Sequence, residues 1–177
     1  MMRAFSCELR SLDDTDRLGR ALGSVLEADT IIALVGQLGA GKTHFVRAVA
    51  EGLGMIELSI VSSPTFVLIQ EYSARLPIYH FDAYRLKGDR EFRDLGSDEY
   101  FRSGGVCLVE WANRVADSLP VDHMRIELTY AGVTARRLSA SSSGPQHARI
   151  LDEWLAELRL TIPNCPIWNA IDSDATE

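Results

Sequence analysis

Three hydrophobic patterns alternate along this chain: apolar residues spaced every three or four positions, short unbroken apolar runs, and runs of strand-forming residues. Leu18, Leu22, Val25 and Leu26 recur at helical steps behind Ser11 and Asp14, whose separation is that of a capping pair, and predict a first helix. The unbroken run TIIALV, residues 30–35, predicts a buried strand. Helical spacing resumes from Lys42 to Leu53 through Phe45, Val46, Val49 and Ala50, with Gly54 placed to cap the end. After the Ser/Pro-rich stretch VSSPT, FVLIQEY and IYHFD predict two strands joined by a connector containing Pro77. A short helix around Glu91 to Leu95 follows, then VCLVE, residues 106–110, which predicts a central strand covered on both faces and ending on a carboxylate. RIELTY and ARRLSAS predict a strand pair turning near Gly132, and QHARILDEWLAELRL a closing helix.

Strands alternating with helices indicate an α/β chain, and 177 residues at 46% hydrophobic suffice for one core but not for two comfortable domains. We expect a single domain over residues 1–160 and a mobile tail over 161–177 that contains Pro163 and Pro166. No stretch approaches the roughly 20 apolar residues of a membrane span, and the first residues lack the apolar core of a signal peptide, so a cytoplasmic location is expected. Cys7, Cys107 and Cys165 are odd in number and widely spaced, which suggests reduced thiols, with Cys107 buried. The formal charge of −7 argues against a surface that grips a polyanion, DNA included, and any RNA contact should be local or through a partner. The basic stretch YRLKGDREFR, residues 84–93, also carries Asp89 and Glu91 and reads as a solvated helical face.

The stretch GQLGAGKTHF, residues 36–45, sits between a predicted strand and a predicted helix and fits G-x-x-x-x-G-K-[ST] at Gly36, Gly41, Lys42 and Thr43. In that order the backbone N–H groups around Leu38, Gly39, Ala40, Gly41 and His44 turn toward phosphate oxygens, and the helix start adds its positive end. Lys42 then reaches the β- and γ-phosphates, and Thr43 supplies a hydroxyl suited to magnesium. Such a site also needs a carboxylate from a neighbouring strand: Glu110 is the first choice, and Asp82, ending IYHFD, the second, as a water-orienting base or a ligand through water. Thr65 lies where many phosphate-loop enzymes place a loop sensing the γ-phosphate, although Pro64 alone would favour an extended connection there. His80 reads as a hydrogen-bonded core histidine with no catalytic role, and Trp111 as a residue that buries surface and could pack on the site.

Taken together, GQLGAGKT, SSPTFVLIQEY, YHFDAYRL, LGSDEYF and CLVEW, in this order and at these separations, resemble the TsaE (YjeE) family from about Leu12 to Leu158. The resemblance implies a P-loop NTPase-type three-layer sandwich, with a mostly parallel central sheet and antiparallel additions. It also implies a magnesium-dependent ATPase that works with the TsaD and TsaB proteins to make threonylcarbamoyladenosine in tRNAs reading codons that begin with A, meeting tRNA indirectly through that complex. In this picture ATP (and ADP after hydrolysis) binds at the loop through Lys42, Thr43 and Glu110 hold magnesium, Asp82 is required for hydrolysis and Thr65 is a switch residue. The family places an arginine of the late strand pair near the nucleotide; TARRL offers Arg136 or Arg137, and Arg136 is the choice. Gln37 departs from the acid usual at that position. Two other readings stand beside the ATPase: a small-molecule kinase using Arg85, Arg90 and Arg93 as lid arginines, and a nucleotide-gated binding module with negligible hydrolysis.

Overall fold

The computed structural model describes residues 3–161 together with 167 and 168. In chain order the elements are β1 (Ala4–Leu9), α1 (Leu12–Val25), β2 (Thr30–Gly36), α2 (Lys42–Gly52), β3 (Ile69–Tyr72), β4 (Ile78–Asp82), α3 (Asp89–Asp94), α4 (Ser97–Tyr100), β5 (Val106–Glu110), β6 (Met124–Tyr130), β7 (Arg136–Ser142), α5 (Pro145–Thr161) and β8 (Ile167–Trp168), with short 3-10 turns between some of them. The strands form one sheet in the order β3-β4-β5-β2-β6-β7-β1-β8. Its centre, β4, β5, β2 and β6, is parallel, and the strands flanking this centre pair antiparallel. This is the expected α/β architecture.

Burial explains the sequence patterns. Alternate residues of TIIALV face two different cores: Ile32 and Leu34 pack with α1, α2 and α5, while Ile31, Ala33 and Val35 pack with Phe81, Phe92 and Phe101 on the other face. β6 and β7 instead alternate buried and half-buried residues, because helices cover only one of their faces. α1 opens with Ser11 and Asp14 in a reciprocal capping box, as their spacing predicts. α5 closes the helical layer, with Trp154 fully buried, edge-on to Phe5 at 4.9 Å and donating from its indole N–H to Leu18 O.

Some expectations change. The N-terminal residues form β1, which was not predicted although Phe5, Cys7 and Leu9 alternate as a half-buried strand should. FVLIQEY is a strand only from Ile69. Its first residues form a turn in which Leu68 N–H donates to Pro64 O and Leu68 adopts φ +69°. Of YRLKGDREFR, only the part from Asp89 is helical, and its Phe92 is buried. The closing helix includes Thr161, and Ile167 and Trp168 pair with Cys7 and Ser6. The rest of the segment read as a tail, including Cys165, lies outside the described residues. Cys107 is buried, and burial, then the Asp29 carboxylate, pushes its thiol pKa up to about 12. No helix among the described residues is long and apolar enough to cross a membrane.

Candidate functional site: a phosphate loop and three strand ends

Parallel strands bring their C-terminal ends to one side, where β2 runs into the glycine loop and β4 and β5 end on Asp82 and Glu110, which are register partners. A cleft of about 350 Å³ opens there, lined by Leu38, Gly39, Gly41, Lys42, Thr43, Ser63, Thr65, Asp82, Tyr84, Glu110 and Trp111. The loop can turn so sharply because of its glycines. At Gly36, φ is +153° and a β-carbon would lie 2.4 Å from Leu128 O on β6, so a side chain there would push the loop off its strand. Gly41, at φ +107°, then leads into the first turn of α2.

Lys42 is buried, and its ammonium donates to Gly36 O at 2.7 Å and Gln37 O at 3.0 Å while lying 3.9 Å from the centre of the Trp111 ring. Burial pulls the pKa of this lysine below its usual range, against the opposing pull of the Glu110 and Asp82 carboxylates. The cleft therefore gathers one cation between two acids.

The hydroxyl of Thr43 donates to Glu110 Oε1 at 2.7 Å, tying the first turn of α2 to the end of β5. The same oxygen lies 2.8 Å from His80 Nε2, and both Glu110 and His80 are almost fully buried. Asp82 Oδ2 accepts from the hydroxyls of Ser63 and Thr65, the latter at 2.9 Å, and its Oδ1 accepts from Tyr84 N–H. These contacts fold the segment between α2 and β3 onto the strand end and account for the turn that shortens β3. Two non-glycine residues beside the cleft, Leu68 and Trp111, sit in the left-handed backbone region at φ +69° and +58°.

Of the residues singled out in the sequence, Leu38, Gly39, Gly41, Lys42, Thr43, Thr65, Asp82 and Glu110 line the cleft, and Gly36 accepts from Lys42. Ala40 is buried against the core beneath the loop. The His44 ring turns away: its Nε2 lies 2.7 Å from Asp16 Oδ1 on α1, misaligned for a hydrogen bond. Arg136 is one step removed, its guanidinium stacked 4.2 Å over the Tyr130 ring, while the Tyr130 hydroxyl donates to Leu38 O. Of the arginines considered for a kinase lid, Arg85 lies over the Phe66 ring and Arg93 bonds the Ser118 hydroxyl. Sequence reasoning missed Ser63, Tyr84 and Tyr130, while His80 is buried and hydrogen-bonded as read, its partner being Glu110. Only Ser63 carried a signal, its position two residues before Thr65.

Oxygen donors at Thr43 and Glu110, a second carboxylate at Asp82 and a lysine amine on the glycine loop are the residue types that could hold a phosphate chain together with a hard divalent cation. The sheet order and this constellation define a P-loop nucleotide-binding protein. The family model described as threonylcarbamoyl adenosine biosynthesis protein TsaE matches residues 9–138. The chain is 39% identical over 142 residues to the tRNA threonylcarbamoyladenosine biosynthesis protein TsaE of Bacillus subtilis (strain 168), covering 80% of this chain and 87% of that one. It is 44% identical over 122 residues to the protein of the same name from Treponema pallidum, covering 69% and 89%. The crystal structure of Bacillus subtilis YdiB superimposes with a TM-score of 0.77 at 32% identity, covering 88% of this chain and 97% of that one. The chain belongs to the TsaE family.

Proposed function

We propose that this protein is a magnesium-dependent ATPase that acts in the cytoplasm with the TsaD–TsaB pair in the threonylcarbamoyladenosine modification of tRNA, its hydrolysis resetting that complex between turnovers. The observation that carries the reading is the contact of Thr43 with Glu110, which joins the phosphate loop to a buried strand-end carboxylate with Asp82 as its register partner. A glycine turn that bound phosphate only for structure would not need either acid.

In this reading the loop N–H groups and Lys42 hold the phosphate chain, and the buried amine is the charge that meets the β- and γ-phosphates. Thr43 and Glu110 would hold magnesium, which supplies neutralisation of phosphate charge in the transition state. Asp82 orients the attacking water and accepts its proton. Because Asp82 also holds Ser63 and Thr65, a γ-phosphate that draws Thr65 inward would alter the segment through the exposed Phe66 and Val67. That segment is the natural reporter of nucleotide state to a partner. The acidic chain has little to grip tRNA with directly, which favours contact through the complex.

Co-purification with TsaD and TsaB, with and without ATP, tests the reading. Nucleotide-dependent association is expected, and association indifferent to nucleotide, or none, would contradict it.

A further inference from the structure

His80 occupies β4 two residues before Asp82, fully buried and opposite Leu108 of β5. Its Nε2 lies 2.8 Å from Glu110 Oε1, the oxygen that also accepts from Thr43. Its other ring nitrogen, Nδ1, is buried without a hydrogen-bond partner. A proton on Nδ1 would be a buried donor with no acceptor, so the proton in the pair sits on Nε2 and is donated to Glu110. The Tyr72 ring packs beside the imidazole, with centroids 6.2 Å apart, and helps to fix its plane.

We propose that His80 is a positioning residue for Glu110: its Nε2–H pins Oε1 against the Thr43 hydroxyl and thereby holds both oxygen donors in the arrangement that receives magnesium. The acceptor distinguishes this histidine: its donor goes to the very oxygen of Glu110 that also accepts from Thr43 at the start of α2. Outer partners that orient a ligating group commonly change metal affinity or activity by about 10–100-fold. The proposal rests on the magnesium–nucleotide reading above and deepens it.

Gln and Asn separate this role from packing, because a Gln amide reaches the position of the imidazole Nε2 and an Asn amide only that of Nδ1. ATP affinity is measured for the wild type, His80→Gln, His80→Asn and His80→Phe as magnesium is titrated, and again in EDTA, with thermal unfolding recorded for each. Expected are equal affinities in EDTA, a magnesium requirement raised roughly tenfold in the Asn and Phe variants, and recovery toward wild type in the Gln variant. In a Glu110→Ala background, His80→Phe should add no further change. Wild-type magnesium dependence in the Asn variant, or in the Phe variant, would overturn the positioning role. So would a Gln variant as impaired as the Asn variant. A wild type indifferent to magnesium would instead overturn the metal reading itself, and this role with it.

Discussion

Asp82→Ala separates holding the nucleotide from hydrolysing it. The side chain is 2% exposed and accepts three hydrogen bonds, from Ser63, Thr65 and Tyr84 N–H. The hydroxyls of Ser63 and Thr65 are half-buried and can rotate toward water, while the Tyr84 N–H is fixed in direction, so truncation should cost about 1–3 kcal/mol of stability. Turnover should suffer more. Losing a positioned general base removes roughly 10²–10⁴ in rate, or about 3–5 kcal/mol of transition-state stabilisation. Affinity should move the other way, since the Asp82 charge is felt at Lys42 and its removal takes a negative charge from beside the phosphates. The assay pairs ATP binding, followed for example by Trp111 fluorescence in the cleft, with phosphate release at saturating ATP. Asp82→Asn keeps an acceptor for Tyr84 but no charge, so turnover as low as that of the Ala variant would assign the effect to the carboxylate. Hydrolysis by Asp82→Ala within a few-fold of wild type, or a large loss of affinity, would refute the reasoning.

Lys42→Ala should abolish most ATP and ADP binding in equilibrium titrations, because it removes the cation placed on the loop; unchanged affinity would remove the phosphate-loop assignment. Gly23→Ala should destabilise the fold by about 1–3 kcal/mol in denaturant unfolding, because the added carbon would lie 2.2 Å from Val49 O, in the backbone of α2; an unchanged midpoint would show that α1 and α2 can separate freely. His147 accepts from Ile31 N–H at 2.9 Å and bonds Asp122 at 2.6 Å, so His147→Leu should cost about 1–3 kcal/mol by leaving that buried N–H unmet. Burial, outweighing Asp122, holds the His147 pKa below its ordinary 6.5, so the unfolded chain takes up the proton first and stability falls as pH drops below that value. Burial of Asp122 is outweighed by its hydrogen bonds from His147 and the backbone, which lower its pKa and extend the loss below 3.8. Wild-type stability that rises as pH drops from 7 to 5 would contradict this sign, and a Leu variant as steep in pH as the wild type would contradict the assignment to His147.

The parallel core was legible because strands buried on both faces must be apolar throughout, and TIIALV and VCLVE are such runs. That Lys42, Thr43, Asp82 and Glu110 would meet at one cleft was legible, because the motif places the first two at a strand–loop–helix junction and the acids end the two other strand runs. β1 was overlooked, although the alternation of Phe5, Cys7 and Leu9 with polar Ser6 and Glu8 is the period of a half-buried strand. The late start of β3 was hidden because Phe66 and Val67 are strand formers by propensity, while the turn they join is set by Asp82 holding Ser63 and Thr65, a contact across 17 to 19 positions. The same limit applies to His80: its partner Glu110 is 30 positions away, and only pairing of β4 with β5 brings them together. Arg136 was chosen for the nucleotide from the family pattern; in the structure it stacks on Tyr130, whose hydroxyl meets the loop, and donates to Ala135 O.

The central claim is that ATP hydrolysis at this loop serves the TsaD–TsaB machine, and partner-dependent turnover tests it most directly. The isolated chain should hydrolyse ATP at Ras-like intrinsic rates, on the order of a few per hour. The TsaD–TsaB pair should stimulate that rate, and ATP should tighten binding to the pair by the same factor that the pair tightens ATP. At saturating magnesium Glu110→Ala should retain most of its nucleotide affinity yet lose both the stimulated hydrolysis and sustained tRNA modification. The measurement is steady-state phosphate release by wild type and Glu110→Ala, with the pair, with bare tRNA and with neither, run beside multiple-turnover modification of tRNA. Stimulation by the pair alone, absent in the variant, is the result this account predicts. Stimulation by bare tRNA, or full multiple-turnover modification with Glu110→Ala, would contradict it.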